Sequence, residues 1–443
     1  MKTMKEMKTR RRAKNQKGTK KRMAKISDII DELVDTKLSP ARLSELCFQL
    51  QENVDDVYAT TMADEIKLIE SLSYLSLSPG TEIQINNDVI KTIDKRFQSG
   101  RNHYGDIMRG LISSLQPLLL KGKSNSELKG QQNLVLKPAL GMSLKEDNLK
   151  EVWIGQGGLK SIPLFYVVLL HLKRKDVSTN LSWIVPGILN ILDDTTDLRR
   201  IKLRGVLLLQ TLLDHTFVCK IDDSKWIQFS SIGLFPLLEK ILVNMCYFLP
   251  PSYNANDTLA IWRVVFPTIH SLYRVEFVND NTKYQYHLEK FMSEILLQNI
   301  IPRASLTYDN LTTYALETAT NILKLQKGGS VVHLQRLVYV LGEYIVRNPF
   351  FTIFPELVSK ALLVIDTLIE VCPNERIVAH KFDILSLILI TFDKCLQEDA
   401  LNEPTLLQCK RTMKSLLHCN CSMEGELSTL SEQPRFRLLF DFS

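Results

Sequence analysis

The chain has 443 residues, 45% hydrophobic and 23% charged, with a net charge of +6. That is ordinary globular composition, enough for two or three domains or one elongated array. The longest apolar runs, such as 384–390 (ILSLILI), fall well short of the ~20 residues that a bilayer crossing requires, which argues against a membrane protein.

Residues 1–25 hold twelve Lys or Arg against one acid, Glu6, a local charge of +11 that leaves −5 for the remaining 418 residues. So dense a run of like charge with few apolar side chains cannot bury a core, and a disordered basic tail is expected. It reads as a nuclear-localisation signal, as a nucleic-acid patch, or as a solvated extension preceding an internal start such as Met4, Met7 or Met23. The N-terminus lacks the apolar stretch of a secretion signal, so an intracellular protein is expected. The eight scattered cysteines read as reduced thiols rather than a disulfide framework.

From Ile26 the apolar residues recur every three or four positions, as helices require. A first helical block spans 26–120, with Ser39 and Pro40 placed as N-cap and first helical residue. The stretch 121–156 is rich in Gly, Ser, Asn and Gln and reads as a linker; its GQGG (155–158) is a flexible lead into the next helix rather than a phosphate loop. Helical runs are then predicted near 157–173, 176–192, 197–214, 227–248, 257–278, 281–299, 307–326, 331–347, 350–371, 374–397 and 402–418, followed by a tail over 421–443. Short connections make neighbours antiparallel, and pairs of about 40–60 residues loosely match the HEAT or armadillo period. The expected fold is therefore all-α, an α-solenoid of HEAT/armadillo-like antiparallel helix pairs over 157–420. Pro236 and Pro355 suit helix starts, whereas Pro186 and Pro267 fall inside apolar runs, where they would bend a helix.

No residue pattern points to catalysis. There is no G-x-S-x-G turn, and the eight histidines form no H-E-x-x-H pair; His215 and His270 read as hydrogen-bonded core or boundary residues. Cys409, His418, Cys419 and Cys421 lie close in sequence and are conceivable zinc ligands, but their spacing is not that of a finger, and buried or exposed thiols at a helix end are the better reading. No cofactor is expected. Aromatic residues in polar settings are candidates for a partner interface: Trp226, Phe350, Phe351 and Phe354, together with the apolar end PRFRLLFDFS.

Residues 188–208 (ILNILDDTTDLRRIKLRGVLL) end one helix in Asp193 and Asp194 and restart with a basic run. Asp194 is expected to cap the second helix, and Asp193, which opposes the dipole of the first, to find a cation in Lys202 or Arg204. A divalent metal would need further ligands, and only Asp197 is near.

This segment, with Gly205 eleven residues beyond Asp194, resembles the second Tel-interacting protein family, a subunit of the TTT co-chaperone complex. The likeness continues in GLFPLLEKILVNMCYFLPP (233–251), HLQRLVYVLGEYI (333–345) and VCPNERIVAHKFDILSLILITF (371–392), covering roughly 180–400. The last stretch is similar to a family Trp-Pro-Arg-Ile/Val pattern, but has Cys372 in place of Trp, and Asn374 and Glu375 intervene before Arg376 and Ile377. The resemblance implies a non-enzymatic scaffold in cytoplasm and nucleus. Its implied partners are the larger HEAT-repeat Tel-interacting subunit and the Tel subunit, and through them the ninety-kilodalton heat-shock chaperone and the phosphatidylinositol-3-kinase-related kinases of genome maintenance, telomere and nutrient signalling. In fungi it further implies the chromatin-linked ASTRA assembly. The alternative is a HEAT-repeat transport or nucleic-acid-associated adaptor whose working element is the basic tail; direct nucleic-acid binding is not the favoured expectation.

Overall fold

The computed structural model describes residues 26–34, 39–52, 61–77, 83–99, 103–120, 151–195, 197–217, 227–419 and 423–441. The basic tail, most of the linker, Trp226 and Cys421 lie outside the described residues. Helices account for nearly all regular structure and no strand occurs among the described residues, so the all-α class read from the apolar periodicity is borne out. The chain divides into two compact units, Met1–Thr216 and Phe217–Ser443.

In the first unit the helices are α1 (Ile26–Val34), α2 (Pro40–Glu52), α3 (Met62–Leu75), α4 (Ile83–Ser99), α5 (Tyr104–Leu120), α6 (Gly158–His171), α7 (Val177–Leu192) and α8 (Leu203–Thr211). At α2 and α3 the start is set by a side chain that satisfies a free backbone N–H group. Ser39 Oγ accepts from the Arg42 N–H at 3.3 Å, and the Thr61 side chain accepts from the Asp64 N–H at 3.3 Å. The row α1, α3, α6, α8 forms one layer, each helix against the next, while α2 and α4 pair beside it. Leu68, Ile69, Leu72, Ile93, Leu111, Phe165 and Val168 are fully buried between these helices.

Two polar clasps cross this core. Arg96 of α4, its side chain 3% exposed, faces Glu65 of α3 with both guanidinium and carboxylate edges, Nε donating to Oε1 at 2.8 Å. His171, at the end of α6, stacks on Phe97 with ring centroids 4.0 Å apart and pairs through Nε2 with Asp94 at 2.9 Å.

In the second unit the helices are α9 (Phe235–Cys246), α10 (Ala255–Glu276), α11 (Asn281–Lys290), α12 (Ile301–Ala304), α13 (Asp309–Gln326), α14 (Leu334–Leu341), α15 (Pro355–Val371), α16 (Asn374–Ala379), α17 (Lys381–Gln397), α18 (Glu403–His418), α19 (Glu424–Glu432) and α20 (Arg437–Phe440). Helices α10, α13, α15 and α18 stack successively, while α14 and α17 pack together alongside. Pro236 and Pro355 lie in the first turns of α9 and α15, and Pro186 and Pro267 lie inside α7 and α10. All four fall where the sequence places them. Residues 281–304 run continuously from α11 through a wider, π-wound stretch (Phe291–Ile300) into α12. Segment 374–397, expected as one helix, is broken at His380 between α16 and α17, with no Pro or Gly to signal it. Within 421–443, α19 and α20 are short helices, and Phe436 and Leu439 are buried.

The centre of this unit is Trp262, fully buried on α10, stacked on Phe266 and donating from Nε1 to the Cys246 carbonyl at 3.0 Å. The Lys394 ammonium donates to the Val346 and Asn348 carbonyls at 2.9 and 2.8 Å, satisfying backbone acceptors just beyond α14. All six cysteines among the described residues are reduced thiols and buried.

Candidate partner interface

The joint between α7 and α8 is built from its backbone outward. Asp194 does not cap the second helix; its Oδ1 accepts the N–H of Asp197 at 2.8 Å, and Asp197 Oδ1 in turn accepts the N–H of Arg200 at 2.8 Å. Asp197 is thus the cap, and Asp194 holds the cap in place. The reason is length: the chain needs the intervening turn before it can begin the π-wound segment Leu198–Lys202 that leads into α8. Asp193 is exposed at the end of α7, and among the described residues no ion pair joins it to Lys202 or Arg204.

Gly205 explains the glycine of the motif. A Cβ built there would lie 2.9 Å from the Leu192 backbone nitrogen and 3.0 Å from Ile191 Cγ2. Only a residue without a side chain lets α8 cross so close to the end of α7. Carboxylates and glycine therefore serve the joint together, the first closing its turn and the second its crossing. Replacing Asp197 with Ala should cost about 1 kcal/mol as a lost N-cap, whereas Asp193→Asn should change stability by less than about 0.5 kcal/mol. Urea denaturation of both variants, followed through Trp183 on α7, checks the contrast.

The remaining candidates are spread through the second unit. Phe350 is 62% exposed and its neighbour Ile353 63%, so this turn before α15 displays two apolar side chains to solvent. Phe351, between them, is fully buried and forms part of the core, and Phe354 is half-buried at the start of α15. With about three residues per turn in the tightly wound stretch 351–353, Phe350 and Ile353 share one face and Phe351 turns to another, so only Phe350 of the three aromatics stands clear of the core. Arg376 is exposed on α16, whereas Ile377 is buried. Cys409 and Cys419 are buried and His418 is exposed; burial pushes the Cys409 thiol up to about 12. Among the described residues no group of three or more His, Cys, Asp or Glu is placed to hold a metal ion.

A cleft of about 500 Å³ runs along α11 to the C-terminal end of α13, bounded by Asn281, Gln285, Glu289, Leu325, Lys327 and Val332. Leu325 and Val332 are exposed. Behind it His333 is buried and hydrogen-bonded to Gln326 at 3.1 Å, and burial pushes its imidazole down to about 4. The folded chain therefore keeps His333 neutral where the unfolded chain takes up a proton. Stability is full above about pH 6.5 and declines as pH falls toward 4, by at most about 3 kcal/mol. His333→Gln should flatten this decline, read as the change in urea midpoint between acidic and neutral buffer.

Residues 68–353 match the Tti2 family. The chain belongs to this family. It is also 72% identical, over 421 residues, to the protein named TEL2-interacting protein 2 of Saccharomyces cerevisiae (strain ATCC 204508 / S288c), an alignment covering 95% of this chain and 100% of that one. No solved structure matches. The Tti2 match runs from α3 to the turn bearing Phe350 and Ile353 and includes the Asp193, Asp194 and Gly205 joint, while Arg376 and Ile377 lie beyond it.

Two features of this chain escape a sequence reading. The role of Asp197 is hidden because three aspartates within five residues suit an N-cap equally. The second is a convergence of Lys160 with Arg200 and Arg204 beside Tyr74, residues so separated that no local pattern links them. No helix among the described residues is long and apolar enough to cross a membrane.

Proposed function

We propose that the chain is a non-catalytic adaptor of the TTT co-chaperone complex, with its helix pairs arranged as a HEAT-like α-solenoid. The observation that carries this is the 72% identity, over the full length of the relative, to a protein named for its interaction with Tel2. An adaptor of this kind binds the Tel subunit and the larger Tel-interacting subunit. With the ninety-kilodalton chaperone it supports maturation of phosphatidylinositol-3-kinase-related kinases, in cytoplasm and nucleus. Exposed Phe350 and Ile353 are the side chains we assign to partner contact, because large apolar groups on a rigid turn supply binding energy when covered.

Affinity purification of the tagged chain at about 300 mM salt, where phosphate contacts weaken but buried helical interfaces persist, tests this reading. Two large helical proteins in stoichiometric yield, with kinase and chaperone beneath them, are expected. Recovery of nucleic acid, of import receptors, or of no stable partner would overturn it. The double variant Phe350→Ser, Ile353→Ser should lose about 2 kcal/mol or more of partner affinity with little change in thermal midpoint, since neither side chain is in the core. Undiminished recovery of partners would reject the assignment of this turn.

A further inference from the structure

The first unit contains a cleft of about 210 Å³ whose lining includes Tyr74, Leu77, Lys160, Pro163, Arg200 and Arg204. Lys160 Nζ stands 5.3 Å from the centre of the Tyr74 ring, so the ammonium is held against the wall by the face of an aromatic. Arg200 and Arg204 are four residues apart on one helical segment, which places them on the same face. Three cations thus meet over one small opening.

Beyond the contact of Lys160 with the Tyr74 ring and the pairing of Arg200 with Asp197, the described residues offer this cluster little compensation for its charge. Arg199, Arg200 and Lys202 occupy the opening of their helical segment, where positive charge opposes the helix dipole. Like charges four apart on a helix repel. Asp197 has its Oδ1 engaged by the Arg200 backbone N–H, and its Oδ2 stands 4.0 Å from Arg200 Nε. Glu70 is turned to the Tyr74 hydroxyl and, at 3.3 Å, to Ser114 Oγ. Among the described residues no carboxylate forms an ion pair with Arg204 or Lys160. Arg204 is half-buried, and desolvation pulls its pKa down.

We propose that this cleft binds a phosphate monoester, held by the guanidinium groups of Arg200 and Arg204 and by the ammonium of Lys160, with Tyr74 as its apolar wall. Charge selects the ligand class. The lining holds three cations and no carboxylate, an excess of positive charge that suits a phosphate monoester carrying about −1.5 to −2 near neutral pH. A carboxylate would neutralise only part of it. Guanidinium forks suit tetrahedral oxyanions, and the lysine adds a mobile point charge. The phosphate belongs either to a phosphorylated side chain of a protein or to a small soluble ester. The site is a property of the first unit and stands independently of the adaptor reading.

The test uses the full chain and measures the shift of its thermal midpoint in inorganic phosphate and in a capped phosphoserine amide, against chloride of equal ionic strength. Both ligands should raise the midpoint. Arg204→Gln and Lys160→Gln should each weaken the apparent affinity about tenfold, read as the loss of the ligand-induced shift relative to each variant's own midpoint in chloride. Tighter binding of the phosphoserine amide than of inorganic phosphate assigns the site to a protein-borne phosphate; equal binding assigns it to a soluble ester. The proposal is overturned if neither ligand shifts the wild-type midpoint, or if Lys160→Gln responds to both as the wild type does. Because Lys160 is exposed, its variant remains informative even if Arg204→Gln folds poorly.

Discussion

Gly205→Ala should destabilise the first unit by about 1–3 kcal/mol, and Gly205→Val should prevent α7 and α8 from packing at all. The sign is not obvious in advance, because alanine in place of a helical glycine ordinarily gains up to about 1 kcal/mol in propensity. Here the new methyl would meet the backbone nitrogen of Leu192 at 2.9 Å and the carbonyl carbon of Ile191 at 3.1 Å. Backbone atoms cannot rotate away as a side chain can, so one helix must move and the interface must reopen. Gly105, near the start of α5, is the control: nothing lies within 4 Å of a Cβ placed there, so Gly105→Ala should be neutral or slightly stabilising. Urea midpoints for the two alanine variants should move in opposite directions, or at least differ by more than about 1 kcal/mol. Equal midpoints would mean that the α7–α8 crossing yields easily and that the glycine has another purpose.

The second large effect is expected at the clasp between α3 and α4. Glu65→Ala should cost about 3 kcal/mol or more, because it removes the carboxylate from a guanidinium that is 3% exposed and cannot recover its hydration in place. Arg96→Met should cost less, since methionine fills the apolar track of the arginine stem and Glu65, at 15% exposed, keeps some access to water. The double variant Glu65→Leu, Arg96→Met should be more stable than Glu65→Ala alone, as buried ion pairs replaced whole by apolar groups often are. A double-mutant cycle measures the coupling, for which we expect 1 kcal/mol or more, about the size found for buried charge pairs. Strict additivity would show that the two side chains contribute separately and that the clasp is incidental.

These expectations rest on contacts of unequal legibility. The helix positions were readable because apolar side chains at intervals of three and four declare a buried face, and α7, α10, α13 and α18 begin within two residues of their sequence estimates. Their starts were readable too where a capping side chain stands alone, as at Ser39. At 193–197 three aspartates compete, and the choice of Asp197 is made by where the chain leaves the turn, which is a matter of tertiary geometry. The buried Phe351 beside the exposed Phe350 shows the same limit, since a single tightly wound turn has too few residues to establish a period. The break at His380 bears no proline or glycine, so no local pattern announces it, although Ile377 before it and Ile384 after it are both buried. The cationic cleft was the least legible of all, because Lys160 and Arg204 converge only after the intervening helices have folded back.

The buried thiols have a practical meaning. Before residue 217 the chain contains one cysteine, Cys47, and it is buried on α2; Cys246, Cys372, Cys395, Cys409 and Cys419 are buried in the second unit. An alkylating probe can reach such a sulfur only when the surrounding helices part, so its rate of modification records how often that part of the protein opens. With Cys219 and Cys421 changed to serine, the chain becomes a pair of clocks. Cys47 times the excursions of one unit and the remaining five time those of the other, in a single sample, and a bound partner would slow whichever clock lies beneath it.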